Sequence, residues 1–292
     1  MFRRISLIGV ISAALISAAV GSATAGSREV LHAQNLHAFP AKGARPNGAS
    51  GTVSLLSWHG GVVQHGTSVN AIFWGSSWST YTGDKITGIA AFYGGVGNTN
   101  YAKTNTEYTD KSGNVSPAVS YVGRTIDSSS APRRAPSTGA VLAEVAKIFP
   151  HPTAGAYYPV YVDTPRGHAG YCAWHSSGSI NGTPVQFAFF FNLDGDPGCD
   201  PGSTLDNLTT NSQGLTALGN VTGHELSEML TDPQLNAWYD GSGAENADKC
   251  AWTFSGATSN FGGKSWIIQG NFSNVAYNAS SGYNHGGCID GT

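Results

Sequence analysis

The chain has 292 residues, of which 11% are charged and 11% aromatic, with 39 glycines and a formal net charge of −3 at neutral pH. Sparse charge with abundant Gly, Ser, Asn and aromatic side chains suits an exported, turn-rich, partly β protein and not a cytosolic helical one. No lysine- or arginine-rich patch interleaved with aromatics is present, which argues against nucleic acid as a partner.

Met1-Phe2-Arg3-Arg4 is a short basic start, followed by an apolar run from Ile5 to Val20 and small residues at Ala23 and Ala25. This order predicts a signal peptide over 1–25, cleaved before Gly26. The run is shorter than the ~20 residues a spanning helix needs, so no membrane association is expected after cleavage. Residues 26–50, with Pro40 and Pro46, are expected to be a loosely ordered mature N-terminus. Residues 51–292 then form a single globular domain, because no repeat or clean linker divides them.

Within that domain, Val53–Trp58 and Ser68–Trp74 are β-rich runs joined through His59-Gly60-Gly61. A short helix is expected at Lys85–Tyr93 and a strand at Val115–Val122. Ser137–Phe149 reads as a helix with Ser137 as N-cap and Pro150 as terminator. Tyr157–Val162 and Val185–Asn192 are strand candidates. Gln213–Leu230 is the second long helix, stopped by Asp232-Pro233, and short strands and turns follow from Ala251. The class expected is α+β: a mixed β-sheet, a buried metal-site helix and a C-terminal half stapled by disulfides. Cys172, Cys199, Cys250 and Cys288 form an even set in an exported chain. Sequential pairing, Cys172–Cys199 and Cys250–Cys288, closes two local loops around Gly-rich turns, and no Cys-x-x-Cys spacing points to a cysteine zinc site.

The chemistry concentrates on His224-Glu225-Leu226-Ser227-Glu228. Residues four apart share a helix face, so His224 and Glu228 project together. The pattern is that of a zincin helix, His-Glu-x-x-His, with a carboxylate as the fifth residue. There the first and fifth residues bind Zn2+, the cation brings the pKa of water towards ~7, and the intervening Glu, here Glu225, accepts the proton. A carboxylate ligand also widens the choice to other divalent cations. Leu215, Leu218 and Val221 make a core-facing stripe just ahead, so the polar residues lie where unpaired charge is costly. Glu245-Asn246-Ala247-Asp248 follows downstream, with Asp248 the first choice for a third ligand and Glu245 the second. His168 and His175 flank Cys172 and are weaker candidates to line the same cleft, since a histidine beside a disulfide is more often packed or exposed than functional. His59 and His65 are expected to serve turns, as is Asp194-Gly195-Asp196, which lacks the spaced Glu of a calcium loop.

Trp58-His59-Gly60-Gly61, Val69 to Gly75, Cys172-Ala173-Trp174-His175, Gly223 to Tyr239 and Ala247-Asp248-Lys249-Cys250, in this order, resemble the phosphate-induced protein 1 family, whose plant members are the EXORDIUM proteins. The resemblance runs from about residue 55 to the C-terminus. It implies a secreted, wall-associated protein and supplies no activity; many plant members lack the full His-Glu-x-x-Glu set that is kept here.

Two functions are therefore carried forward. One is a secreted zinc-dependent, peptidase-like hydrolase with His224, Glu228 and Asp248 or Glu245 as ligands, Glu225 as base, and a peptide or cell-wall polymer as substrate. The other is a non-catalytic wall or matrix protein in which the same residues hold a structural metal or a buried polar network.

Overall fold

The computed structural model describes residues 36–44 and 54–292, with 31–33 as backbone. The expected signal peptide lies outside the described residues, as does Val53. In chain order the elements are β1 (Leu31–Ala33), β2 (His37–Pro40), β3 (Ser57–Trp58), β4 (Thr67–Trp74), α1 (Lys85–Val96), α2 (Asn100–Lys103), β5 (Thr109–Asp110), β6 (Gly113–Asn114), β7 (Val119–Asp127), α3 (Thr138–Ile148), β8 (Tyr157–Pro165), β9 (Tyr171–Ile180), β10 (Thr183–Asn192), α4 (Ser203–Asp206) and α5 (Gln213–Thr231).

Seven strands make a mixed sheet in the order β1-β9-β10-β8-β4-β7, with β2 also pairing β9. The β4, β7, β8 and β10 pairings are parallel, and β9 joins β10 antiparallel. Helix α1 lies in the connection from β4 to its parallel neighbour β7, and α3 in the connection from β7 past β4 to β8. The class is α+β, as the sequence indicated, and the two disulfides are Cys172–Cys199 and Cys250–Cys288. Among the described residues no helix is long and apolar enough to cross a membrane.

Four elements depart from expectation. Strands β1 and β2 lie in the stretch expected to be loosely ordered, because their backbone groups complete the edge of β9. Strand β9 was not foreseen: its small, polar run Ser176-Ser177-Gly178-Ser179 hides a period that pairing with β2 and β10 fixes. The strand expected at Val115–Val122 begins later, at Val119, where its pairing with Thr67 of β4 starts.

Helix α5 positions the site. Ser212 caps it by accepting from the Leu215 amide at 3.2 Å, and every residue from Gly214 to Thr231 is buried. Two interior glycines, each costing about 1 kcal/mol of helix propensity, are there for contact. A Cβ at Gly223 would lie 2.6 Å from Ile268 Cγ2, and one at Gly219 2.8 Å from the Trp266 ring. The helix ends where Pro233 cannot continue it; Asp232 Oδ1 accepts from the amides of Asn236 and Ala237 at 2.6 and 2.7 Å.

Candidate metal centre

Cross-strand pairing sets His37 of β2 opposite His175 of β9, so their side chains leave the same face about 5 Å apart at Cβ. Helix α5 crosses this face and presents His224 and Glu228. The chain beyond it is folded back by Asp240, whose Oδ1 accepts from the amides of Ser242 and Ala244 at 2.8 and 3.2 Å and whose Oδ2 accepts from Lys249 at 2.8 Å. That turn returns Glu245 to the cluster. A 3-10 turn at Asp248–Cys250, pinned by the Cys250–Cys288 bridge, brings Asp248.

Glu228 is the meeting point. Its Oε1 lies 3.0 Å from His224 Nε2 and accepts from the Asp248 amide at 3.0 Å. Its Oε2 lies 3.5 Å from both His37 Nδ1 and His175 Nε2. Glu245 Oε2 is 2.7 Å from His37 Nδ1 and 2.9 Å from His175 Nε2. His224 Nε2 is 3.6 Å from Asp248 Oδ1. Two sets of donor atoms result, His37, His175, Glu228 and Glu245 in one and His224, Glu228 and Asp248 in the other, each with its atoms within 4.8 Å of one another.

Several of these atoms are close without being hydrogen-bonded. His37 Nδ1, His224 Nε2, Glu228 Oε2, Glu245 Oε1, His175 Nδ1 and both oxygens of Glu225 are buried with no hydrogen-bond partner among the described residues. A buried unpaired polar atom costs ~1–3 kcal/mol, more when charged. Of these, His37 Nδ1 and Glu228 Oε2 face each other, with His175 Nε2 and Glu245 Oε2 beside them, an arrangement that fits a cation aligning their lone pairs. The residues present therefore suit a divalent ion; mixed imidazole and carboxylate donors are compatible with zinc among others.

Without such an ion the cluster balances its charge with protons. Burial alone would lower the pKa of His37 and His175, yet Glu245 dominates both and raises them, joined at His37 by Asp248. Burial would raise Glu228 and Glu245; the neighbouring His224 and His37 imidazoles hold Glu228 low, and His37 and His175 hold Glu245 low. Asp248 is pushed up to about 7 by burial and by Glu228. Glu225 is pushed well above the usual carboxylate range by burial first and Glu228 second.

The structure thus brings together all five predicted residues, His224, Glu225, Glu228, Glu245 and Asp248, and adds His37 and His175. His37 sits in the stretch read as loosely ordered. Of the two histidines that were weaker candidates for the cleft, His175 is buried in the cluster. The alternation Leu36-His37-Ala38-Phe39 was the available signal for the first, and Tyr171-Cys172-Ala173-Trp174-His175 for the second. His168 is exposed, His59 stacks on Tyr239 at 3.6 Å, and His65 pairs with Asp110 at 3.0 Å. Asp194 and Asp196 pair with Lys85 and Arg166.

A pocket of about 160 Å³ opens beside the cluster, lined by His37, Asp232, Leu235, Tyr239, Gly243 and Glu245. His37, a quarter exposed, is the most accessible member of the cluster. Comparison with protein-family models, curated proteins and solved structures finds no match.

Proposed function

We propose that the chain is an exported, divalent-cation-dependent hydrolase of peptidase-like chemistry, with zinc as the first candidate ion and a peptide or cell-wall polymer as substrate. The observation that carries this reading is the convergence on Glu228 of buried donor atoms that have no hydrogen-bond partner, with Glu225 beside them. His224, Glu228, Asp248, Glu245, His37 and His175 are the residues available to hold the ion. When bound, it supplies a Lewis acid that polarises a substrate oxygen and acidifies water.

Glu225 would move the proton. Neither of its oxygens is committed to another group, and its burial favours the protonated form, so it is suited to take up a proton and return it to a leaving group. The pocket beside His37 and Glu245 gives a small polar group of a substrate a way to the cluster. Two disulfides fit an oxidising compartment, in line with the expected signal peptide and with the resemblance to the phosphate-induced protein 1 family.

A second reading, a structural ion in a non-catalytic wall or matrix protein, is favoured by one feature. His37, His175, Glu228 and Glu245 offer four protein donors, and closed four-donor sets mark structural zinc sites. Glu225→Gln separates the two. In a hydrolase it leaves the ion bound and lowers peptide or polymer hydrolysis by ~100-fold or more. Wild-type protein that carries the ion but hydrolyses nothing supports the structural reading; wild-type protein that takes up no ion removes both.

A further inference from the structure

We infer that the cation is held by His37 Nδ1, His175 Nε2, Glu228 Oε2 and Glu245 Oε2, and that His224 is a positioning residue whose protonated Nε2 faces Glu228 Oε1 without ligating the ion. This rests on the reading that the cluster binds a divalent ion, and it departs from the ligand assignment that the His-Glu-x-x-Glu spacing suggests.

The first support is distance. Donors about 2.0–2.1 Å from a tetrahedral ion lie about 3.3 Å from one another. The four separations between the imidazole nitrogens and carboxylate oxygens of this set are 2.7, 2.9, 3.5 and 3.5 Å.

The second is the placement of ring protons. His37 Nε2 faces the carbonyl of Gly243 at 3.0 Å. A carbonyl only accepts, so Nε2 carries the proton and Nδ1 keeps its lone pair, aimed at two carboxylates. That pairing of a ligand imidazole with a backbone carbonyl is the usual support of a metal-bound histidine.

His224 is held the other way. Its Nδ1 faces Gln269 Nε2 at 3.0 Å. The Gln269 amide cannot be turned round, because Nε2 also donates to the Ala247 carbonyl at 2.7 Å and Oε1 accepts from the Trp252 amide at 3.2 Å. His224 Nδ1 therefore receives a hydrogen bond, and the ring proton sits on Nε2, 3.0 Å from Glu228 Oε1. A nitrogen whose proton is fixed by the bond at the other ring nitrogen is not a ligand; the proton of His175 Nε2, bonded to Glu245 Oε2, is not fixed in this way, because His175 Nδ1 has no partner. Phe39, stacked on the His224 ring at 3.9 Å between centroids, holds the ring in that plane.

The ion would then join β2, β9, α5 and the loop beyond α5, so its binding also fastens the N-terminal strand. The test is uptake of zinc, and of cobalt(II) with its visible absorption, by the full-length mature protein and its variants. His37→Ala is expected to weaken zinc binding by ~100-fold or more, since even outer partners of a ligand are worth 10–100-fold. His224→Gln, which keeps an N–H donor in place of Nε2, is expected to retain one ion with an unchanged cobalt spectrum, whereas His224→Ala should shift that spectrum by freeing Glu228. X-ray absorption at the zinc edge of the wild-type protein checks the set without any variant, with two imidazoles expected. One imidazole, or loss of the ion in His224→Gln with retention in His37→Ala, would overturn the assignment while leaving a metal site in place. Wild-type protein that binds neither metal would instead remove the reading beneath it.

Discussion

Helix α5 has two buried polar flanks, and they solve the same problem in opposite ways. On the Ser227 side, Asn246 donates to Asn105 Oδ1 at 2.6 Å, and Asn105 reaches the Ala102 carbonyl and Ser227. Asn271 donates to Thr104 and Ser227, both at 2.9 Å, and Thr231 donates to Asn246. Of these side-chain atoms only Asn271 Oδ1 is without a partner. On the Glu228 side the groups are as buried and as close, yet many are unaligned. Neutral amides and hydroxyls carry both donors and acceptors and can satisfy one another. Imidazoles and carboxylates, with acceptors in excess, need protons or a cation. A polar cluster that is close-packed but unbonded is therefore a sign of a missing positive charge.

Removing the ion is the strongest way to break this comparison. An ion present at a thousandfold its Kd adds ~4 kcal/mol to the folded state. For a domain of this size chelation should then lower Tm on the order of 10 °C, with zinc restoring it. Calorimetry with and without chelator checks this, and an unchanged Tm would mean that protons alone balance the Glu228 flank. The neutral flank should behave otherwise. Asn246→Ala leaves Asn105 Oδ1 without its partner, while Thr231 keeps the Ser227 and Glu228 carbonyls, and should cost ~1–3 kcal/mol, read from urea unfolding, at full zinc content. Loss of zinc together with stability would show that the two flanks are one network.

The unequal legibility of the site follows from the same chemistry. Helix α5 could be read because its cap, its apolar stripe and its stop at Pro233 are local, and His224, Glu225 and Glu228 came with it. Glu245 and Asp248 were legible as acids close behind that helix, and the cysteine pairing was legible because both loops are local. The sheet edge was not. His37 reaches the site only because β2 pairs with β9, a contact between segments far apart in the chain whose register no local pattern encodes. His175 was obscured by its neighbours, since a strand of Ser and Gly carries little β signal. The role of His224 depends on Gln269, forty-five positions away, and spacing within a helix cannot report a tautomer.

A last, pH-dependent effect comes from a second carboxylate group, at the β7 edge of the sheet, where a lysine supplies the positive charge. Lys147 pairs with Asp127 at the end of β7 and with Glu144 one turn earlier on α3, the latter at 3.3 Å. Burial first, and then the bond to Asp127, pushes Glu144 up to about 7 from its ordinary 4.5, while its proton, shared with Asp127, holds that partner well below the usual range. The folded chain thus keeps the Glu144 proton more tightly than the unfolded chain does. Its contribution is complete below pH 4.5 and is lost as pH rises towards 7, with a slope of at most ~1.4 kcal/mol per pH unit for one proton. Glu144→Gln should flatten urea midpoints across that window when both proteins are measured with chelator, which takes the ion at Glu228 out of the comparison. An equally steep decline in the variant would place the titrating group elsewhere, with Asp232, also raised to about 7 by burial and Glu245, and Asp248, raised to about 7 by burial and Glu228, as the next residues to change.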